Sequence, residues 1–194
     1  MLIKWVTCDV VDRAAFGRGQ LEWAALRGLP GFLGQCGGWG RQRAHVFGFW
    51  ADEGAYRAFM EGAHDHLAKA QSGTFGAIDV RLFDSVLDLG RGDGELIRLA
   101  HCHVREGRQE HFVRAQREVW NPGMTASPGM TGGAFGRHGD REFLVLSHWR
   151  STADHRAYIR DRFMELRGRS GAATDLAEIT GDLIDVVPEW TVRT

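Results

Sequence analysis

The stretch His45–Leu67, HVFGFWADEGAYRAFMEGAHDHL, has a second copy in the chain at Leu144–Leu166, LVLSHWRSTADHRAYIRDRFMEL. In each copy an apolar run ends at a tryptophan, Trp50 or Trp149, a short polar turn follows, and apolar residues then recur at helical spacing. A constant offset of 99 residues aligns the two copies. The pattern predicts a β-strand that leads into an α-helix, and its repetition indicates that the chain is duplicated.

The rest of the two halves follows the same correspondence. Further corresponding pairs are Cys8 with Cys102, Phe16 with Phe112, Gln20 with Gln116, and Pro30-Gly31-Phe32 with Pro128-Gly129-Met130. Each copy is nearly 100 residues long, far longer than a solenoid repeat. We therefore interpret each copy as a small domain.

Hydrophobic periodicity predicts the order βαββαβ in each half. The predicted elements of the first half are the strand Leu2–Val10, the helix Asp12–Leu26, a strand within Gly31–Gly40, the strand Ala44–Trp50, the helix Asp52–Ala70 and the strand Ile78–Leu87. Those of the second half are the strand Glu95–Val104, the helix Arg108–Trp120, the strands Met130–Phe135 and Glu142–Trp149, the helix Thr152–Arg167 and the strand Leu183–Val187. The glycine-rich segment 90–94 is predicted to link a first repeat, 1–89, to a second, 95–194.

Composition limits the classes of function. The chain has 194 residues, 43% of them hydrophobic and 25% charged, which is typical of a globular protein. A net charge of -1 argues against a nucleic-acid partner, because phosphate binding needs a concentrated basic surface. No apolar run approaches the roughly 18 residues of a membrane span, and no signal-peptide pattern occurs, so no membrane partner is expected. Three cysteines without CxxC spacing predict neither disulfides nor a zinc site and fit a cytoplasmic location.

The order βαββαβ predicts a ferredoxin-like unit, with two helices on one face of a four-stranded antiparallel sheet. The opposite apolar face must be buried. Two copies in one chain solve this by packing their sheets face to face. We therefore predict an α+β fold in which two ferredoxin-like units form an intrachain dimeric α+β barrel.

The repeated strand, tryptophan and helix, with PGF and PGM before the second strand, resembles the dimeric α+β barrel superfamily, which includes antibiotic-biosynthesis-monooxygenase-like proteins. Across nearly its whole length the chain resembles the uncharacterised YdbC-like proteins. The segments that carry this resemblance are MLIKWVTC, GFW, HDHLAKAQSGTF, AHCHV, VWNPGM, SPGM and EFLVLSHW. The superfamily contains oxygenases, haem-degrading enzymes, isomerases and proteins without a known reaction, so the resemblance implies the fold and leaves the activity open.

Histidines on the first strand of the second repeat are one candidate site. Strand alternation places His101 and His103 on the face that carries Thr7 and Asp9 in the first repeat. Two imidazoles at this spacing could bind a metal or move a proton. A hydrogen-bonded or exposed pair at a strand end is the alternative, and a metal is not predicted because no third ligand can be placed from the sequence.

His64 is the second candidate for catalysis. The resemblance implies a histidine near this point of the second helix in cofactor-independent monooxygenases. Because Phe163 occupies the equivalent position of the second repeat, a structural role is the alternative.

Aromatic and neighbouring polar residues are the candidates for a substrate-binding wall. They are Thr7, Trp50, Phe59, Trp120, Asn121, His148 and Trp149. The alternative for the tryptophans is packing of a helix onto the sheet, since large aromatic residues dominate core burial. Trp120 and Asn121 lie in a longer connection, predicted as a loop, that could serve as a ligand lid.

Two hypotheses of function remain open. The first is a monooxygenase-like enzyme without a cofactor, in which an apolar pocket binds an oxidisable aromatic or polyketide-like molecule and His64 or His101 takes a proton. The second is a non-catalytic ligand-binding or stress-associated protein. No phosphate loop, dinucleotide fingerprint, GxSxG elbow or HExxH helix occurs. Because both repeats are present, we expect a monomeric pseudo-dimer or a homodimer.

Overall fold

The computed structural model describes all residues from 1 to 194. The strands are β1 Leu2–Val10, β2 Phe32–Trp39, β3 Ala44–Trp50, β4 Phe75–Asp88, β5 Leu96–Val104, β6 Met130–His138, β7 Glu142–Trp149 and β8 Leu176–Val186. The α-helices are α1 Arg13–Leu21, α2 Glu53–Glu61, α3 His64–Ala68, α4 Gln109–Ala115, α5 Asn121–Thr125, α6 Thr152–Tyr158 and α7 Met164–Ser170. None of the helices is both long enough and apolar enough to cross a membrane.

The chain divides into two compact units, and each contains a ferredoxin-like sheet. The first unit comprises Met1–Asp84 and Ile184–Thr194, and the second comprises Ser85–Leu183. The boundaries fall inside β4 and inside β8, so each of these strands contributes residues to both units.

In the first unit the sheet order is β4-β1-β3-β2, with antiparallel neighbours. Leu2 pairs with Trp50, and this pairing fixes which residues of β1 and β3 share a face. The end of β8 extends this sheet, because Val186 pairs with Gly38 of β2. A Cβ atom at Gly38 would lie 1.9 Å from the Asp185 carbonyl oxygen, so this approach of two strands requires glycine.

In the second unit the sheet order is β8-β5-β7-β6. Leu96 pairs with Trp149 here, as Leu2 pairs with Trp50 in the first unit. The chain just after β4 runs beside β6, where the Leu89 N–H group donates to the Gly133 carbonyl oxygen at 2.9 Å. The two units therefore repeat the predicted ferredoxin-like strand order, and they do so with equivalent registers.

The duplicated tryptophans pack the helices onto the sheets. Trp50 is fully buried and stacks on Phe59 of α2, with ring centroids 4.9 Å apart. Trp149 is fully buried and lies 4.8 Å from the ring of Tyr158 in α6. Side-chain caps start both helices: Asp52 accepts from the N–H group of Ala55 at 2.8 Å, and Ser151 accepts from that of Asp154 at 3.1 Å.

The second helix of the first half is not continuous, in contrast to the sequence prediction. The predicted helix Asp52–Ala70 breaks after α2, where Gly62 has φ -106° and ψ -84° and donates its N–H group to Ala58 and Phe59. Glycine has a low helix propensity. The buried residues on either side of the break are Phe59 and Leu67. The equivalent segment of the second half continues from α6 to α7 through a π-helical turn at Ile159–Phe163.

The predicted loop from Asn121 to Pro128 is wrong in its first half, because Asn121–Thr125 forms α5. The preceding turn, Gln116–Trp120, is π-helical, and the Asn121 N–H group donates to the Gln116 carbonyl five residues earlier. The helix therefore continues past Trp120 even though Pro122 has no N–H group to donate. Strand β8 also begins earlier than the predicted Leu183. The sequence prediction missed its first half because that half is exposed and lacks apolar alternation.

Candidate functional site

The first unit encloses a cavity of about 400 Å³ between its sheet and its helices. Lys4, Val6 and Cys8 of β1 form part of its floor, so the cavity lies on the face that these alternating residues share. Trp23, Trp50 and other apolar residues form most of its wall. The volume is within the range of sites for small organic ligands.

Lys4 is the cation of this cavity. Its ammonium nitrogen lies 5.6 Å, 5.7 Å and 5.8 Å from the ring centroids of Trp23, Tyr56 and Phe59. No carboxylate forms an ion pair with it. Burial lowers the pKa of Lys4 from 10.5 to about 8, because the charged form loses its hydration. Lys4 can therefore bind an anion strongly, and near neutral pH it can also exchange a proton.

Amide side chains add polar groups without partners to the same cavity. Gln71 accepts from the indole N–H group of Trp23 at 3.0 Å, while its own Nε2 atom is buried without a partner. The Oε1 atom of Gln20 is also buried without a partner. A buried polar atom without a hydrogen bond costs about 1–3 kcal/mol, so a ligand that supplies the missing bond is favoured.

His64 is the histidine that lines this cavity. Its ring makes edge contacts with Trp23 and Phe59 at centroid distances of 6.0 Å and 5.6 Å. Its Nδ1 atom lies 2.9 Å from a carboxylate oxygen of the exposed Asp65. The imidazole is therefore oriented by Asp65 from the solvent side.

The second unit has an equivalent cavity of about 480 Å³. Arg98 on β5 lies at the position that corresponds to Lys4, and its guanidinium carbon is 5.9 Å from the ring centroid of Phe163. Gln116, the counterpart of Gln20, also lines the cavity and has an Oε1 atom that is buried without a partner. Each unit thus presents one strand cation and one unsatisfied glutamine oxygen to an apolar cavity.

Two further titratable groups lie close to Arg98 in the second unit. Burial, and to a smaller extent the positive charge of Arg98, lower the pKa of His155 to about 4. Burial raises the pKa of Tyr158 to about 12 although Arg98 opposes this shift. The Nε2 atom of His155 and the hydroxyl of Tyr158 have no hydrogen-bond partner. Both side chains are therefore neutral near pH 7.

The structure brings together only some of the residues that the sequence singled out. Trp50, Phe59 and His64 line the cavity of the first unit, and Trp120 lines that of the second. The others lie outside the cavity linings: Thr7, His101 and His103 on the opposite strand face, and Asn121, His148 and Trp149 buried in the packing of the second unit.

The buried side chains of Asn121, His148 and Trp149 differ in their polar contacts. Trp149 donates its indole N–H group to the Ser147 hydroxyl at 3.0 Å. Burial lowers the pKa of His148 to about 4, with smaller opposing effects of Asp93 and Arg91. Neither polar side-chain atom of Asn121 has a hydrogen-bond partner.

Sequence reasoning missed Lys4, Arg98, Gln20 and Gln116 as candidates. A signal was available for the glutamines, because the alignment of the repeats places Gln20 opposite Gln116 on otherwise apolar helix faces. The same alignment places a cation at the same strand position in both halves. Polar residues that recur at inward-facing positions of a duplicated domain point to a polar partner inside the core.

Comparison with known proteins finds sequence similarity to uncharacterised proteins and a shared fold with several solved structures. Residues 2–83 match the protein family described as "Domain of unknown function (DUF4937)". The uncharacterised protein YdbC of Bacillus subtilis is 36% identical over 74 residues, which cover 34% of this chain. The chain spans 62% of the length of that relative. The YdbC-like resemblance predicted from the sequence is confirmed over this matched part of the chain.

Solved structures share the fold over nearly the whole chain. A candidate monooxygenase from Lactobacillus acidophilus NCFM has a TM-score of 0.81 at 13% identity, covering 99% of this chain and 95% of its own. An anthrone oxidase-like protein has a TM-score of 0.67 at 13% identity, covering 96% and 91%. A ferredoxin-fold protein from Listeria monocytogenes, related to antibiotic biosynthesis monooxygenases, has a TM-score of 0.57 at 11% identity, covering 96% of each chain. The predicted fold class, a duplicated ferredoxin-like α+β protein, is confirmed.

Proposed function

We propose that the cavity of the first unit binds an apolar aromatic metabolite that carries an acidic oxygen, and that the protein is a monooxygenase-like enzyme without a cofactor. The observation that carries this proposal is the half-buried Lys4 ammonium near three aromatic rings without an anionic partner. A phenolate or enolate oxygen bound there would supply the missing negative charge. The ring system of the ligand would occupy the space among Trp23, Trp50 and Phe59.

Lys4 fits both binding and deprotonation. A cation held in apolar surroundings interacts with an anion more strongly than it does in water, so it lowers the pKa of a bound phenol or enol. With a pKa of about 8, a fraction of Lys4 is unprotonated near neutral pH and can accept the proton itself. His64 at the cavity wall is the second proton acceptor, whereas His101 lies on the face of β5 opposite the cavity of its own unit.

The proposed reaction balances without a cofactor. Loss of a proton makes the aromatic substrate a carbanion or enolate, which can transfer electrons to O2 and form a new C–O bond. An activated methylene then becomes a ketone: both C–H bonds break, one oxygen atom enters the product, and the other leaves as water. The fold shared with a candidate monooxygenase and an anthrone oxidase-like protein supports this reaction class over hydrolysis or group transfer.

A non-catalytic binding role is the second candidate, and the cavity of the second unit favours it. Arg98 replaces the lysine there, and a guanidinium remains protonated at all physiological pH values. It can hold an anionic ligand but cannot take a proton from it. We therefore propose that the second cavity binds a related ligand without reaction. Each cavity is lined by residues of one unit alone, which supports a chain that works without a second copy.

Matched ligands test the proposal. Phenolic polycyclic compounds with an activated methylene are titrated into the protein beside their methyl ethers, which cannot ionise, and binding and O2 uptake are measured. We expect the phenols to bind at least about tenfold more weakly to Lys4→Met, whereas the ethers bind both proteins alike. Lys69→Met, at an exposed lysine, is the matched control.

The same compounds separate the two candidate functions. Lys4→Arg keeps the positive charge but removes the base, so it should still bind the phenols while O2 uptake falls. Binding without any O2 uptake by the wild-type protein would favour the non-catalytic role. Equal affinity of phenols for the wild-type protein and for a Lys4→Met, Arg98→Met double variant would refute the role of both cations.

A further inference from the structure

A cluster of three side chains of metal-ligating type lies on the second unit, on the sheet face opposite its cavity. His101 and His103 project from β5, and Glu142 projects from the start of β7. Their potential ligand atoms all lie within 4.8 Å of one another. The Nε2 atom of His101 is 2.8 Å from Oε1 of Glu142, and the two imidazole centroids are 4.8 Å apart.

Strand register brings these side chains together. His103 pairs directly with Glu142, and His101 pairs with the next residue but one of β7, Leu144. Residues two apart on a strand share a face, and cross-strand neighbours have Cβ atoms about 4.5–5.5 Å apart. All three side chains therefore start from rigid backbone, and only their side-chain torsions need to change to converge on one ion.

The cluster is partly withdrawn from water. His101 is only 6% exposed, and the side chain of Glu142 is 18% exposed. A carboxylate and an imidazole at this depth are incompletely hydrated. A metal ion that binds them therefore displaces little water from them. His103 lies closer to the surface, which leaves an entry path.

The first unit has an ion pair at the equivalent position. Asp9 and Arg43 are the counterparts of His103 and Glu142, and the Nε atom of Arg43 lies 2.7 Å from a carboxylate oxygen of Asp9. Thr7 stands where the second unit has His101. The acidic and basic partners of the first unit are thus replaced in the second by one carboxylate and two imidazoles. Two imidazoles and one carboxylate are all metal-ligating groups.

We propose that His101, His103 and Glu142 bind a divalent first-row transition-metal ion of the Zn²⁺ class. Two imidazole nitrogens and one carboxylate oxygen are a ligand set typical of such ions, with one position left for water. In a tetrahedral site the ligand atoms are about 3.3 Å apart, so the His101–Glu142 pair opens slightly and His103 moves inward. Mg²⁺ and Ca²⁺ prefer oxygen ligands and do not suit the site.

Metal titration of the whole chain tests the site. Protein stripped by a chelator is titrated with Zn²⁺ by calorimetry, and with Co²⁺ by visible absorption, which reports nitrogen and oxygen ligation. We expect one tightly bound ion per chain and no competition by a large excess of Mg²⁺. His103→Ala and Glu142→Gln should each weaken binding at least about 100-fold, since even outer partners of metal ligands contribute 10–100-fold.

Two histidine variants serve as controls. His66→Ala removes an exposed imidazole, and His111→Ala removes the histidine that lies 2.6 Å from Asp175, a histidine–carboxylate pair without a second imidazole. Both should bind Zn²⁺ as the wild-type protein does. Circular dichroism checks the fold of each variant. If His101→Ala does not fold, the half-buried His103 and Glu142 variants still decide the question.

Two results would overturn the proposal. One is wild-type affinity in the His103→Ala, Glu142→Gln double variant, which would place the ion elsewhere. The other is the absence of binding to the wild-type protein at millimolar Zn²⁺, which would make the His101–Glu142 contact a hydrogen-bonded pair only. Because no residue of the cluster lines either cavity, either result leaves the proposed ligand binding unaffected.

Discussion

Replacement of Lys4 by methionine is expected to stabilise the protein near neutral pH. Burial lowers the pKa of Lys4 from 10.5 to about 8, which corresponds to about 3 kcal/mol at 1.36 kcal/mol per unit. Contacts of the ammonium with three aromatic rings offset part of this cost, at about 0.5–2 kcal/mol in total. Methionine has a similar length and no charge. We expect the free energy of unfolding to rise by about 1–3 kcal/mol at about pH 7.

The pH dependence identifies the cause of this gain. Below pH 8 the lysine is protonated in both the folded and the unfolded chain, so the whole cost of burying the charge is present. Between pH 8 and pH 10.5 the folded protein has released a proton that the unfolded chain still holds, so wild-type stability rises with pH relative to the variant. The difference in stability should therefore shrink to less than about 1 kcal/mol at about pH 10.

Urea unfolding followed by tryptophan fluorescence measures this difference at both pH values. Lys69→Met controls for the loss of a surface lysine and should change the free energy of unfolding by less than about 0.5 kcal/mol. A Lys4→Met protein that is less stable than the wild type at neutral pH would refute the reasoning. So would a stability gain that is independent of pH, because the effect would then come from packing and not from charge.

Two further predictions concern the helices. In α1, Gly17→Ala should raise the free energy of unfolding by about 0.5–1 kcal/mol, since nothing lies within 4 Å of the new Cβ atom and alanine favours a helix. Gly19→Ala should lower the free energy of unfolding by about 1–3 kcal/mol, because its Cβ atom would lie 2.8 Å from the Ala70 carbonyl oxygen. Thermal melts of the two variants check both predictions, since their melting temperatures should shift in opposite directions. Between pH 6.5 and pH 4 the unfolded chain binds a proton at His155 that the buried imidazole of the folded protein does not bind, so acidification lowers the free energy of unfolding. His155→Phe should reduce this loss by up to about 3 kcal/mol. Urea unfolding across this range measures it, and an unchanged acid sensitivity would show that His155 is not the group responsible.

Much of the fold could be predicted because its signals are local and occur twice. The strands that end at Trp50 and Trp149, and the helices that begin close to Asp52 and Thr152, follow from hydrophobic periodicity that one stretch of sequence contains. The break at Gly62 and the helix α5 did not follow, because each depends on a balance between propensity and packing against other elements. A single proline or glycine does not determine that balance.

The candidate sites were harder to predict because burial is not local. A lysine in a strand is normally assigned to solvent, and Lys4 is half-buried only because aromatic residues outside its strand cover it. His101 and His103 were recognised from their two-residue spacing. Their third partner, Glu142, lies 41 residues away from His101 and requires the register of β5 with β7. Sequence patterns therefore find pairs within one strand and miss partners across strands.

Duplication within one chain explains how the two units could acquire different chemistry. In a symmetric homodimer every substitution occurs in both sites. A lysine could then not be replaced by arginine in one site and kept in the other. In a single chain the two positions mutate separately, and Lys4 and Arg98 keep the charge of their cavities while only the lysine can release a proton. Separate mutation also accounts for the difference between the Asp9–Arg43 ion pair of the first unit and the cluster of His101, His103 and Glu142 in the second. The positions at which the two repeats keep the location but change the chemistry are therefore the positions at which we expect their functions to differ.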